Sequence, residues 1–124
     1  MNEKYSKLIS PLEYLNDEPV GFAAVKVEFL PGPIEEKFWV YISERLWSRL
    51  IFIGNAYNLH FPQIVEPVID TVLLPEQCDS FDEELAFLLT ITNDSAFSEA
   101  LHTIRAEIGK VINRKSMRFV ISPP

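Results

Sequence analysis

The sequence has few of the residues that form covalent cross-links or nucleotide-binding loops. Its 124 residues include one cysteine and four glycines. One cysteine cannot form an internal disulfide or a cysteine-based zinc site, which excludes a disulfide-stapled secreted scaffold. The glycines are far apart and match neither of the phosphate-binding spacings GxxxxGK(S/T) and GxGxxG, and the GxSxG motif of serine hydrolases is absent. The chain therefore carries no motif of these enzyme classes.

Long apolar runs are also missing. The longest stretch without a charge, residues 50–65, contains four polar side chains and is shorter than the roughly 20 residues that cross a bilayer. The first 15 residues contain two lysines but no apolar stretch typical of a secretory signal. From these two absences we expect a soluble, cytoplasmic protein with no membrane partner.

What the sequence does have is enough apolar material for one folded core. Hydrophobic residues make up 48% of the chain and aromatic residues 12%, which excludes disorder of the whole chain. A length of 124 residues fits a single domain. We expect residues 1–124 to form one α+β domain in which residues 1–15 are loosely packed.

The first regular element indicated by the pattern is a strand. Residues 20–30 are rich in Val and Phe, and toward their end polar and apolar side chains alternate. This period of two predicts a half-buried strand. The Pro-Gly-Pro sequence at residues 31–33 ends it, because proline cannot donate to a strand ladder and glycine turns easily.

Residues 34–42 are compatible with two structures. The β-branched and aromatic residues 38–42 favour a second strand that forms a hairpin with the first. Apolar side chains spaced three and four apart from Trp39 onward favour a helix instead. Of the two we prefer a strand up to Ile42, followed by a helix that Ser43 caps and that reaches about Gly54.

The middle of the chain is harder to assign. Pro62 and Pro67 prevent one continuous helix between residues 61 and 75, so we expect an irregular segment or a short helix from Val68. Residues 85–92 are a short apolar run bounded by polar residues, and we interpret this run as a buried strand.

The last part of the chain has the clearest helix signal. Residues 93–95 supply a helix cap, and an apolar stripe follows from Phe97 to Val111. Residues 117–122 predict a closing strand, so residues 85–122 would form a strand–helix–strand unit with a right-handed parallel crossover. The predicted fold is α+β, with three to four strands, namely an N-terminal hairpin and this C-terminal unit, packed with at least two helices.

The charge of the chain is unevenly distributed. The formal net charge is −7, and residues 50–104 hold nine acidic residues but no Lys or Arg. Five of the nine lie within residues 76–84, where so many carboxylates must stay solvated. An acidic patch attracts a basic protein and repels nucleic acid; the alternative is a solvated loop that only aids solubility. The candidate partner-binding residues are Glu66, Asp70, Glu76, Asp79, Asp82, Glu83 and Glu84.

Other reactive side chains give no pattern of chemistry. Acidic neighbours of Cys78 favour the unreactive thiol, and His102 falls opposite the apolar stripe of the last helix. His60 follows the predicted end of a helix, where the helix dipole would stabilise a protonated imidazole. Asp79, Asp82 and Glu83 lack the spacing and the glycine of a calcium loop. We therefore assign no catalytic residue, metal or cofactor.

A basic stripe for nucleic acid is also not indicated. The basic residues near the C-terminal end are equally explained by their favourable position at the end of a helix. They are Arg105, Lys110, Arg114, Lys115 and Arg118.

Three functions remain open after these exclusions. The first is a non-enzymatic module that binds a basic protein, such as an immunity- or antitoxin-like inhibitor of a toxin nuclease. The second is a small enzyme or ligand-binding domain with a pocket near Asp94 and Ser95, at the start of the last helix. The third is a homodimer whose aromatic residues form the interface.

Overall fold

The computed structural model describes residues 18–124, which form a small α+β domain, as predicted. The expectation for residues 1–15 lies outside the described part. The strands are β1 (Pro19–Lys26), β2 (Trp39–Ser43), β3 (Thr71–Leu73) and β4 (Met117–Ser122). The helices are α1 (Glu44–Ala56), α2 (Phe61–Ile64), α3 (Pro75–Ile91) and α4 (Ser95–Ile108). Two 3-10 turns lie at Val27–Phe29 and Glu36–Phe38.

One antiparallel sheet contains all four strands, in the order β2-β1-β4-β3. In the centre of the sheet Phe22 lies between Val40 of β2 and Ile121 of β4. On the other side of β4, Val72 of β3 pairs with Val120. Among the described residues, β2 and β3 are therefore the two edge strands of the sheet.

The helices cover one face of this sheet, and aromatic rings fill the space between. Phe22 of β1 contacts Trp47 of α1 edge to face, with ring centroids 5.3 Å apart. Phe81 of α3 lies 5.1 Å from Phe61 of α2 and 6.4 Å from Phe119 of β4. Edge-to-face and tilted contacts at these distances stabilise aromatic pairs beyond the area that they bury.

The other face of the sheet has a smaller cluster. Ala23, Val25 and Val120 are buried there. The chain between β1 and β2 folds over them, and Leu30, Ile34, Phe38 and Trp39 pack against this cluster.

Several predicted elements are confirmed. Strands β1 and β2 form the hairpin, which resolves the ambiguity of residues 34–42 in favour of a strand after a short turn. Ser43 Oγ accepts a hydrogen bond from the Arg45 N–H at 3.2 Å and so caps α1. Asp94 Oδ1 accepts from the N–H groups of Ala96 and Phe97 at 2.9 and 3.1 Å and caps α4. Strand β4 spans the predicted residues.

The prediction of a half-buried strand over residues 20–30 is wrong in two respects. Strand β1 is buried from Val20 to Val25 on both faces, because β2 and β4 flank it and clusters cover it from both sides. The alternating part of the pattern belongs to the turn Val27–Phe29, where Val27 and Phe29 are exposed.

The buried strand predicted at residues 85–92 is also wrong. Residues 85–91 form the C-terminal part of α3, which begins at Pro75, and Thr92 follows the helix as its C-cap. The buried side chains of this helix include Phe81, Leu85 and Leu88, which are spaced four and three residues apart. The apolar run therefore continues a buried helical face that begins within the acidic segment, residues 76–84. The C-terminal unit is therefore helix–helix–strand, and β4 runs antiparallel to both neighbours instead of forming a parallel crossover.

The segment between α1 and α3 contains a helix and a strand. The short helix is α2, with Pro62 in its first turn, and does not begin at Val68. Residues 65–70 are irregular, and β3 follows them. Strand β3 was not predicted, because its three residues are too few to show a period of two.

Candidate functional site

Helix α3 carries the five clustered acids and separates them by direction. A helix turns once in 3.6 residues, so side chains at positions i, i+3 and i+7 share one face. Glu76, Asp79 and Glu83 have this spacing, and all three are exposed. We call these three residues the α3 stripe. They form the part of the predicted acidic patch that faces solvent.

Asp82 lies on the side of α3 that faces α4. The Nε of Arg105 donates to Asp82 Oδ1 at 2.7 Å, and an Nη donates to Oδ2 at 3.2 Å. This two-point hydrogen bond raises the pKa of the Arg105 guanidinium further. The protein's own arginine therefore neutralises Asp82, which contributes to the α3–α4 contact rather than to a free acidic surface.

Glu84 lies on the opposite side of α3 and is only 13% exposed at its side chain. Its carboxylate accepts hydrogen bonds from the backbone N–H groups of His60 and Phe61 at 2.7 and 2.9 Å. The His60 ring lies 3.2 Å away through Nδ1. Glu84 thus satisfies N–H groups at the start of α2, where a negative charge is favourable. Its role is structural.

Glu66 and Asp70 lie in the loop that leads into β3, and both are exposed. The N–H of Glu66 donates to Thr71 Oγ1 at 2.7 Å, which closes the loop on itself. Of the seven predicted binding residues, five are therefore exposed and two, Asp82 and Glu84, are held in contacts within the fold.

The loop and β3 also expose apolar side chains that are not among the predicted site residues. Val68 is 82% exposed and Ile69 61%, and Val72 and Leu74 are also exposed. Thr71 and Leu73 point into the core, so Val72 lies on the other face of the sheet. The sequence signal for this surface is that four of the five residues from Val68 to Val72 are β-branched, which is typical of a strand.

An open cleft lies near the start of the last helix, where the second of the three functions would place a ligand pocket. It has a volume of about 410 Å³ and lies between the end of α1, the end of α3 and the start of α4. Ile53, Leu88 and Phe97 give it apolar walls, and Asp94 is the acid that lines it. Because Asp94 Oδ1 already accepts two backbone hydrogen bonds, this carboxylate acts as a helix cap. His60 does not line this cleft.

Cys78 is completely buried on α3. Burial, and secondarily the charge of Glu76, raises the pKa of its thiol to about 12. We expect a disulfide reagent at pH 8 to label the native protein roughly a hundredfold more slowly than the chain in 6 M guanidinium. Rapid stoichiometric labelling of the native protein would contradict the burial of this thiol.

The same pKa predicts a dependence of stability on pH. The folded pKa of Cys78 lies above the ordinary value of 9.0, so the thiol is neutral in both states below pH 9. As the pH rises above 9, only the unfolded thiol ionises, and the free energy of unfolding falls. Comparison of Cys78→Ser with the natural chain by urea denaturation at pH 8 and pH 10 isolates this contribution. An equal fall in stability for both proteins would contradict it.

Among residues 18–124, no group of three or more His, Cys, Asp or Glu side chains is arranged to hold a metal ion. In the same part of the chain, none of the helices combines the length and apolar character needed to span a bilayer. Comparison of the chain with protein-family models, with curated proteins and with solved structures finds no match.

Proposed function

We propose that this domain is a non-enzymatic, cytoplasmic protein-binding module that covers a basic surface of a partner protein. The observation that carries the proposal is the α3 stripe, three carboxylates exposed in one row on a rigid helix. Side chains on a helix have their spacing set before binding, so little ordering is needed to present them together.

In the part of the chain that the structure describes, no ion pair neutralises the carboxylates of the α3 stripe. The ion pairs among residues 18–124 join Lys37 to Glu35, Arg105 to Asp82 and Lys110 to Glu107, and His60 lies beside Glu84. None of these pairs includes a stripe carboxylate. The negative potential of the stripe therefore extends into solvent for about 8 Å at physiological salt. Such a potential speeds encounter with a basic surface.

An inhibitor of a toxin nuclease is the specific form of this function that we propose. A nuclease that binds the phosphate backbone presents Lys and Arg side chains at its site. Carboxylates that accept hydrogen bonds from these cations would occupy the positions of the phosphates, since charged hydrogen bonds of this kind are among the strongest in proteins. The domain would then act as an immunity- or antitoxin-like protein.

The test is neutralisation of the stripe alone. The partner is first captured by cross-linking in the source cells, and its affinity is then measured for the variant E76Q/D79N/E83Q. We expect affinity to fall by roughly tenfold or more, with a weaker dependence on salt, since each 1.4 kcal/mol of lost interaction is tenfold. Asp82 and Glu84 are left unchanged, because their replacement would disturb the fold.

The matched control removes three other exposed acids, in the variant E18Q/E28Q/E35Q, which has the same net charge. This control is expected to bind the partner nearly as tightly as the natural chain. Equal losses for the two triple variants would mean that net charge alone matters. No loss for the stripe variant would overturn the proposed binding surface.

A further inference from the structure

Strand β3 is an exposed edge of the sheet. Its partner on one side is β4, and no strand of residues 18–124 lies on its other side. An edge strand offers unpaired N–H and C=O groups to another chain. Natural edges are often protected by lysine, yet the nearest Lys or Arg residues in the sequence are Arg49 and Arg105. We call this edge, with the exposed residues Val68, Ile69, Val72 and Leu74, the β3 edge surface.

Side-chain hydrogen bonds fix both ends of the β3 edge surface. Before the strand, the Glu66 N–H donates to Thr71 Oγ1 at 2.7 Å. After it, the Leu74 N–H donates to Gln77 Oε1 at 2.8 Å, and α3 begins at Pro75. A strand held at both ends loses little conformational freedom when another strand pairs with it.

The charges that border the β3 edge surface indicate what can pair with it. Glu66 and Asp70 precede β3, Glu76 follows it, and all three are exposed. A cleft of about 460 Å³ adjoins the loop at Glu66 and Pro67, and its walls include Trp47 and a second carboxylate, Glu44. Apolar walls with carboxylates suit the long stem and charged end of Lys or Arg.

We propose that β3 receives an extended segment of the basic partner as a fifth strand of the sheet. The segment pairs with the backbone of β3, places apolar side chains against Val68, Ile69 and Val72, and carries Lys or Arg residues opposite the bordering acids. Peptide recognition by strand addition works in this way, with backbone hydrogen bonds for affinity and alternate side chains for specificity. The basic character of the segment rests on the proposed function.

A second copy of this chain is a less suitable occupant of the β3 edge surface. Two copies paired edge to edge would bring Glu66, Asp70 and Glu76 of one close to the same acids of the other. Like charges opposite one another in a sheet are destabilising.

The experiment selects ligands from a phage-displayed library of random decapeptides. We expect the selected peptides to alternate apolar residues with Lys or Arg. We expect them to bind the V68K/I69K variant at least tenfold more weakly than the natural chain, because lysines protect an edge and repel a basic peptide. The control F52K carries a lysine at a 75% exposed apolar position on α1 and should bind the peptides normally.

A second probe separates strand pairing from attraction of charge. A selected peptide is synthesised with alternate backbone amides methylated, which keeps its charge but removes hydrogen-bond donors. We expect at least a tenfold loss of affinity, and amide shifts in the NMR spectrum that concentrate at residues 70–74 when the unmodified peptide is added.

Three results would overturn the inference. They are a failure of the library to enrich any peptide, equal binding of the methylated and unmodified peptides, and light scattering that shows a dimer lost in V68K/I69K. None of them bears on the proposed function, which is decided by the partner's affinity for D79N/E83Q, because Asp79 and Glu83 belong to the α3 stripe but do not border β3. Conversely, if D79N/E83Q binds the partner normally while V68K/I69K does not, the α3 stripe is not the binding surface and the β3 edge surface is.

Discussion

The variant Phe81→Ala is expected to lose about 3–5 kcal/mol of unfolding free energy. Phe81 is 1% exposed and joins three elements, because its ring on α3 contacts Phe61 of α2 and Phe119 of β4. Removing the ring leaves a cavity that these rings cannot fill without moving. The total free energy of unfolding of a small domain is about 5–15 kcal/mol, so this loss is a large fraction of the stability.

Urea denaturation followed by tryptophan fluorescence measures this loss, because Trp47 lies in the same cluster, 6.3 Å from Phe61. The control is Phe52→Ala, which removes the same ring from a position that is 75% exposed. This control should change stability by no more than about 0.5 kcal/mol. Similar losses for the two variants would contradict the packing of α3 against the sheet.

The free energy of unfolding is expected to fall by about 2–4 kcal/mol in the variant Glu84→Ala. The reason is that the Glu84 carboxylate accepts two backbone hydrogen bonds at the start of α2. Hydrogen bonds to a charged group contribute about 1.5–3 kcal/mol each and do not add fully. Glu84→Gln keeps one oxygen acceptor and should lose less. The loss arises between α2 and α3, so it tests a tertiary contact rather than the helix propensity of α3.

The control for Glu84 is its neighbour Glu83, which belongs to the exposed α3 stripe. Glu83→Ala should change the unfolding free energy by no more than about 0.5 kcal/mol. Amide exchange gives a second measurement, because the N–H groups of His60 and Phe61 should exchange faster in Glu84→Ala only. If Glu83→Ala were as costly as Glu84→Ala, the division of the acids between surface and structure would be wrong.

The elements predicted well are those whose signals are local. Ser43 and Asp94 cap their helices through hydrogen bonds that span two or three residues. The stripe from Phe97 to Val111 and the strand at residues 117–122 likewise depend on patterns within one segment. Caps and amphipathic periods act over one or two turns, so the sequence contains the information needed to place them.

The elements predicted poorly depend on partners elsewhere in the chain. Residues 85–92 have the length of a strand, but residues 85–91 continue the buried helical face that includes Phe81, and α3 packs this face against α4 and the sheet. Strand β3 exists because three residues pair with β4, more than 40 residues later. The β-branched residues between Val68 and Val72 are compatible with a strand, but they do not show which three residues pair or with which strand.

The sequence by itself determined the α+β class and the absence of Lys and Arg between positions 49 and 105. It placed five acids within nine residues, but it did not determine which of them face solvent. That was decided by the tertiary structure, which turned Asp82 toward Arg105 and Glu84 toward the start of α2. The physical reason is that a carboxylate's surroundings depend on which elements pack against its helix, and these contacts join residues far apart in the chain.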